Sequence, residues 1–320
     1  MSHPFVEEVE ISTAPDFISY LRLSTGHWIE HDGFDSEWIF RGQSDHKWGL
    51  TPSAWRSNTI LDQLKVKYRS AIHKHFYSES NPEHIPRVEK RIELSGKWYG
   101  LNRIVEHNVQ VFAENLAIRD FGDYADKLGL QVNDHYEYKP TLFNYTEYGN
   151  NTFPTSNMTR TITALAQHHG IPTRLLDWTR RPLVAAFFAA DGVQELRVKG
   201  HNPEKIAVWA LNTSIRHNQN WGTFTCPRHG FTFLHGQAGL FTWISGDYHF
   251  LMNNQWPSLV DVLNPHSLDH KPIQKICLPS NEADNLLRLL SKEEVSRAHL
   301  MPSYDNIVHS LRSLWSWRKA

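Results

Sequence analysis

The run Leu183-Val184-Ala185-Ala186-Phe187-Phe188-Ala189-Ala190 is the longest apolar stretch in this chain. It follows Pro182, a residue suited to the first position of a helix, where a backbone N–H would have no helical partner. A helix that is apolar on every side must be buried, and this one is far too short to span a bilayer, which takes about 20 residues. Directly before it lies Gln167–Thr179, reading Gln-His-His-Gly-Ile-Pro-Thr-Arg-Leu-Leu-Asp-Trp-Thr. Ionisable groups packed against a buried helix have displaced pKa values and hydrogen bonds that are costly to lose. This segment is therefore the first place to look for function.

The 320 residues are 40% hydrophobic and 21% charged. Such a chain can bury a substantial core and is not disordered by composition. The net charge of −1 lacks the basic excess of many nucleic-acid binders, although a local basic groove stays compatible with it. Cys226 and Cys277 stand far apart and outside any Cys-x-x-Cys, which argues against a disulfide framework or a cysteine zinc site. No basic segment followed by an apolar run opens the chain; the expected compartment is the cytoplasm, with no membrane partner.

Periodicity divides the chain into three parts. Residues 1–56 form an opening α/β unit, with a short helix over Asp16–Leu23 capped by Thr13 or Asp16. A strand over Glu37–Arg41 ends at Gly42, and Pro52–Arg56 leads into a helical turn. Residues 57–156 form a helical insertion. Leu61–Tyr77 and Leu101–Leu128 have apolar positions at helical spacing, among them Val109, Phe112, Leu116 and Phe121. Ser78–Pro86 reads as a loop and Pro140–Ser156 as a long one. The last part has a helix over Met158–His169 stopped by Gly170, then the apolar helix. Strands are expected at Ala207–Leu211, Phe231–Leu234, Leu240–Ile244 and Lys275–Leu278, with a helical tail over Glu282–Leu314.

Three motifs carry candidate chemistry. In Phe40-Arg41-Gly42-Gln43 a guanidinium is presented where the backbone turns. Its fork suits a phosphate or carboxylate, with Gly42 allowing close approach. Alternatively, Arg41 pairs with a carboxylate such as Asp177. In the central segment His168 and His169 are adjacent, so on a helix they point about 100° apart, which is poor geometry for two ligands of one metal. No metal is expected, and a histidine bonded to Asp177 or to a backbone carbonyl is the plainer alternative. In the third motif, Arg228–Thr242, Gln237, Gly239 and Phe241 either face a ligand or make structural hydrogen bonds.

Together these motifs closely resemble the FRG domain, named for the motif present here as Phe40-Arg41-Gly42. The resemblance also takes in Trp48, Pro52, Pro182–Ala190, Gln237–Thr242 and Lys275–Pro279. It covers roughly residues 37–310 and implies one FRG-like domain over 1–320, with the helical insertion at about 57–156. The motif order is similar to that of ADP-ribosyltransferases of the Arg–Ser–Glu type. This implies an α+β fold: a mixed β-sheet core of ADP-ribosyltransferase-like type, with a helical insertion and a helical C-terminus.

By that likeness, NAD is the co-substrate. Arg41, Gly42, Gln43, Thr173, Arg174 and Thr179 would contact it. Arg41, Thr179, Gln237, Asp177, His168 and His169 would form the catalytic set. Gln237 falls where those enzymes place a Glu. The positive charge that develops on ribose as nicotinamide leaves calls for a carboxylate, so Asp177 supplies it or the site is slow or inactive. The resemblance further implies a toxin or anti-phage effector with RNA or protein as acceptor, and an antitoxin protein as partner. Two other readings are a ligand-binding module without catalysis and a nuclease using His168 or His169 with Arg174.

Overall fold

The computed structural model describes residues 3–28, 38–57, 59–77, 101–130, 157–215, 220–226, 236–263 and 271–317. Its framework is one seven-stranded mixed sheet. In chain order the strands are β1 (Val6–Glu10), β2 (Trp38–Gln43), β3 (Leu175–Thr179), β4 (Lys205–Asn212), β5 (Trp221–Phe224), β6 (Gly239–Ile244) and β7 (Ile273–Pro279). They lie side by side as β1-β7-β4-β2-β3-β6-β5. β1 runs parallel to β7, and the other neighbours are antiparallel. A mixed α/β fold with a helical C-terminus is thus present.

Strand β2 shows why the sheet is covered on both faces. Its side chains alternate. Phe40 enters a core with helices α1 (Ala14–Leu21) and α5 (Pro182–Asp191), while Ile39 enters a core with Leu176, Trp178, Trp209 and Trp221 on the other face. The apolar run Leu183–Ala190 forms α5 as its composition requires, with Pro182 in its first turn. Thr13 caps α1 by accepting from the Asp16 amide. Helix α6 (Val193–Val198) follows α5.

β2 was expected to stop at Gly42, but it continues to Gln43. Gly42 stays paired with Val208, and its bare Cα lets α5 lie directly on the strand. A Cβ there would overlap the Ala185 carbonyl and come within 2.6 Å of the Ala189 amide nitrogen.

The helical insertion is built from α2 (Leu61–Tyr77) and α3 (Leu101–Lys127), close to the expected bounds. Ile72, Ile104, Val105, Val109, Phe112 and Leu116 form their shared core, with Leu251 from α7 (Asp247–Asn253). Helix α4 (Asn157–His168) returns the chain to the sheet. Gly170, at φ +91°, ends it in the left-handed region that glycine tolerates. Next come α8 (Leu259–Val262), then α9 (Ala283–Lys292), α10 (Arg297–Leu300) and α11 (Tyr304–Trp317), which make up the helical tail. The expected strand at Phe231–Leu234 and the loops at Ser78–Pro86 and Pro140–Ser156 lie outside the described residues. Among the described residues, no helix is long and apolar enough to cross a membrane.

Candidate functional site

Strands β2 and β3 pair at one position, Phe40 with Thr179. Arg41 stands where they part. Its Nη1 donates to the Asp177 carbonyl at 2.8 Å and lies 3.5 Å from the Asp177 carboxylate. Its Nε is enclosed without a hydrogen-bond partner. A buried donor left without an acceptor costs about 1–3 kcal/mol, and such an atom calls for a reason. The Asp177 carboxylate faces outward, with a side-chain exposure of 61%.

Two more ionisable groups adjoin this pair. Arg56, just after a helical turn at Ser53–Trp55, donates Nε and Nη2 to the Thr51 carbonyl at 3.1 and 2.8 Å. Its pKa is lowered by protein atoms that displace water and then by the Arg41 charge, with Asp177 acting in the opposite direction. His168, at the end of α4, is also lowered. Partial loss of water comes first and the neighbouring His169 second, again opposed by Asp177. Asp177, paired with Arg41 at the parting of β2 and β3, is therefore the charge that Arg56 and His168 both feel. His169 turns its ring edge to His168, with centroids 5.2 Å apart, and stacks on Phe121.

The other expected contact residues face internal partners. Gly42 admits α5, so its open side is filled by the Ala185 and Ala189 backbone. Gln43 is buried, donating to the Gly49 carbonyl and accepting from the Trp209 indole. The buried Thr173 hydroxyl donates to Gln167 and accepts from the Leu175 amide. Arg174 is buried beneath the insertion, bonded to Glu114 at 2.8 Å and to the Ser245 carbonyl at 3.0 Å. Thr179 is buried too. Its hydroxyl donates to the Gln237 carbonyl at 2.5 Å and accepts from the Arg181 amide at 3.0 Å, closing the turn into α5. The sheet brings Arg41, Thr179 and Gln237 to one junction, since Thr179 pairs with Phe40 on one side and Gly239 on the other. Gln237 itself is half-buried, before Ala238 at φ +47°.

Two features escaped the sequence reading. Arg56 carries no sequence signal beyond its place at the end of Pro52–Arg56, a loop leading into a helical turn. The second is a polar network behind the site. Glu114 also accepts from the Trp55 indole and the Gln110 amide, and Asp247 accepts from His107 at 2.9 Å and from Ser245 at 3.0 Å. A charged Glu114 set among Val111, Phe112, Ala113 and Leu116 was the available signal. Both cysteines are buried and unbridged, and burial pushes each thiol up to about 11, which removes thiolate chemistry at neutral pH. Among the described residues no group of three His, Cys, Asp or Glu is placed to hold a metal ion.

No curated protein and no solved structure matches the chain. A family model described as the FRG domain matches residues 36–197. The matched span holds every group of the site at the β2–β3 parting and covers just over half of the 320 residues, so this chain belongs to the FRG domain family.

Proposed function

We propose that this FRG protein is an NAD-dependent ADP-ribosyltransferase acting on RNA or protein, as a toxin or anti-phage effector restrained by an antitoxin. The supporting observation is the part-open Arg41 guanidinium at the parting of β2 and β3, next to Arg56, whose pKa is lowered by lost water and then by the Arg41 charge. A phosphate group on the open side of Arg41 would accept from the guanidinium and relieve the repulsion between the two arginines. NAD carries such phosphates.

The remaining groups fit the chemistry. The bond between ribose C1′ and the nicotinamide nitrogen breaks, and its electron pair leaves with nicotinamide. The outward-facing Asp177 carboxylate offsets the charge growing on ribose, a task that Gln237 cannot perform. The acceptor's nucleophile bonds to C1′ and passes its proton to His168. The lowered pKa of His168 keeps it neutral and able to accept that proton at pH 7. Arg41 grips phosphate in this scheme, and Thr179 shapes the turn.

Two observations favour a second reading, a module that binds a nucleotide phosphate without turnover. The Thr179 hydroxyl is occupied, and Gln237 carries no charge. Purified protein incubated with labelled NAD and cell extract separates the two. Transfer of label that disappears in Arg41→Ala and Asp177→Asn supports the transferase. Calorimetric binding of NAD with neither label transfer nor nicotinamide release supports the binding module. Absence of both sinks the two readings together.

A further inference from the structure

Helix α11 is mounted by its polar side. Its least exposed residues are Asn306, Ser310, Ser313 and Trp317, which share one face at helical spacing. Asn306 Nδ2 donates to the Met301 carbonyl at 2.6 Å, and Ser310 Oγ accepts from the Ala298 amide at 3.2 Å. No residue of the helix is buried. Tyr304, Ile307, Val308, Leu311, Leu314 and Trp315 are all exposed. At about 100° per residue they fill a single stripe roughly 120° wide. A globular helix ordinarily turns such a stripe to its own core, and an exposed one marks an interaction surface.

We propose that the stripe is covered by α11 of a second copy of this chain, running antiparallel. Charge placement selects this occupant. Asp305 and Arg312 lie on the same margin of the stripe, two turns apart. A two-fold axis near His309 sets Tyr304 against the partner's Leu314 and Ile307 against the partner's Leu311. The same register brings Asp305 beside the partner's Arg312. A parallel pair would instead place the Asp305–Arg312 margins of the two copies on opposite flanks of the contact, where they cannot pair. Antiparallel pairing also opposes the helix dipoles favourably. A lipid surface suits the margin less well, because Asp305 offsets Arg312 and leaves it without the excess of Lys and Arg that interfacial helices carry. The helix is about 21 Å long, so the contact is smaller than the roughly 800 Å² per partner of a standard interface. The dimer therefore dissociates on dilution.

The test is sedimentation velocity on the full chain over a dilution series, with circular dichroism as a check on folding. The wild type is expected to pass from dimer to monomer on dilution. Leu311→Asp should be monomeric throughout with its helix content unchanged, since the site is exposed. Asp305→Arg should shift the equilibrium to monomer, and Asp305→Arg with Arg312→Asp should restore the dimer. Should Leu311→Asp unfold, the charge-reversal pair decides. A wild type that stays monomeric at every concentration overturns the proposal, as does a dimer indifferent to Leu311→Asp or a double reversal that fails to restore it. Monomeric protein that floats with phosphatidylcholine–phosphatidylserine vesicles overturns it in favour of a membrane.

Discussion

Arg174 Nε donates to Glu114 Oε2 at 2.8 Å, joining the start of β3 to a helix 60 positions earlier in the chain. Both side chains are buried, and the guanidinium lies over the Trp55 ring at 5.7 Å. Removing one member of a buried pair leaves the other charge uncompensated, at a cost of about 3–5 kcal/mol. Glu114→Ala also strips acceptors from the Trp55 indole and the Gln110 amide. It should lower the unfolding free energy by that amount and the urea midpoint in proportion, whereas Glu195→Ala, which breaks an exposed pair with Lys199, should leave the midpoint unmoved. Equal midpoints for the two variants would show that the network does not hold the insertion to the sheet.

The same network predicts a dependence on acid. Burial alone would raise the pKa of Asp247, but the hydrogen bond from His107 and the charge of Arg174 outweigh it and hold the carboxyl below its ordinary value. A carboxylate depressed by folding adds stability above its unfolded pKa of about 3.9. That stability is lost as pH falls through the folded value. Melting temperatures of the wild type and Asp247→Asn should differ by a constant amount at neutral pH, begin to converge below about pH 4, and meet only beneath the lowered folded value. A gap that persists at low pH would mean that the carboxylate's charge plays no part.

Gly42 supplies a third test. α5 lies on β2 so closely that a single methyl overlaps the Ala185 carbonyl. Helix and strand backbones cannot yield as a flexible side chain does, so Gly42→Ala should cost more than the roughly 1–3 kcal/mol of ordinary overpacking. The expected outcome is insoluble protein or a collapse in melting temperature, read by calorimetry. Normal stability with altered NAD affinity would instead assign Gly42 to ligand approach, as the sequence first implied.

That contrast shows what the sequence could convey. Helices with one-sided or fully apolar patterns were legible nearly to the residue: α2 matches its expected bounds, and α5 follows from composition alone. Leu175–Thr179 stands out as functional ground, but its own residue pattern does not announce a strand; only the likeness to Arg–Ser–Glu enzymes implies one at Asp177–Thr179. Its burial depends on β6, more than 50 residues later. β1 and β5 went unseen because Val6–Glu10 and Trp221–Phe224 gain their meaning only beside β7 and β6. For the site, the residue types were readable but their directions were not. Arg174 and Gln43 look like ligand contacts in sequence. Only the fold reveals Glu114, Gly49 and Trp209 as their partners.

His168 gives the prediction closest to the chemistry. Partial loss of water and the adjacent His169 lower its pKa, and Asp177 pulls it back up. Proton NMR of the imidazole should therefore show titration below the ordinary value of about 6.5. His169→Gln removes a like charge and should move the titration upward. Asp177→Asn removes the opposing carboxylate and should move it downward. These shifts test the geometry without any assumption about turnover. If His168 is the base that takes the acceptor's proton, activity should rise with pH through that same titration and be flat at pH 7. His168→Ala should then cost about 10²–10⁴ in kcat, mostly without change in KM for NAD, because the ring meets the acceptor and not the phosphates. An acid limb unmoved by His169→Gln would assign the proton transfer to another group.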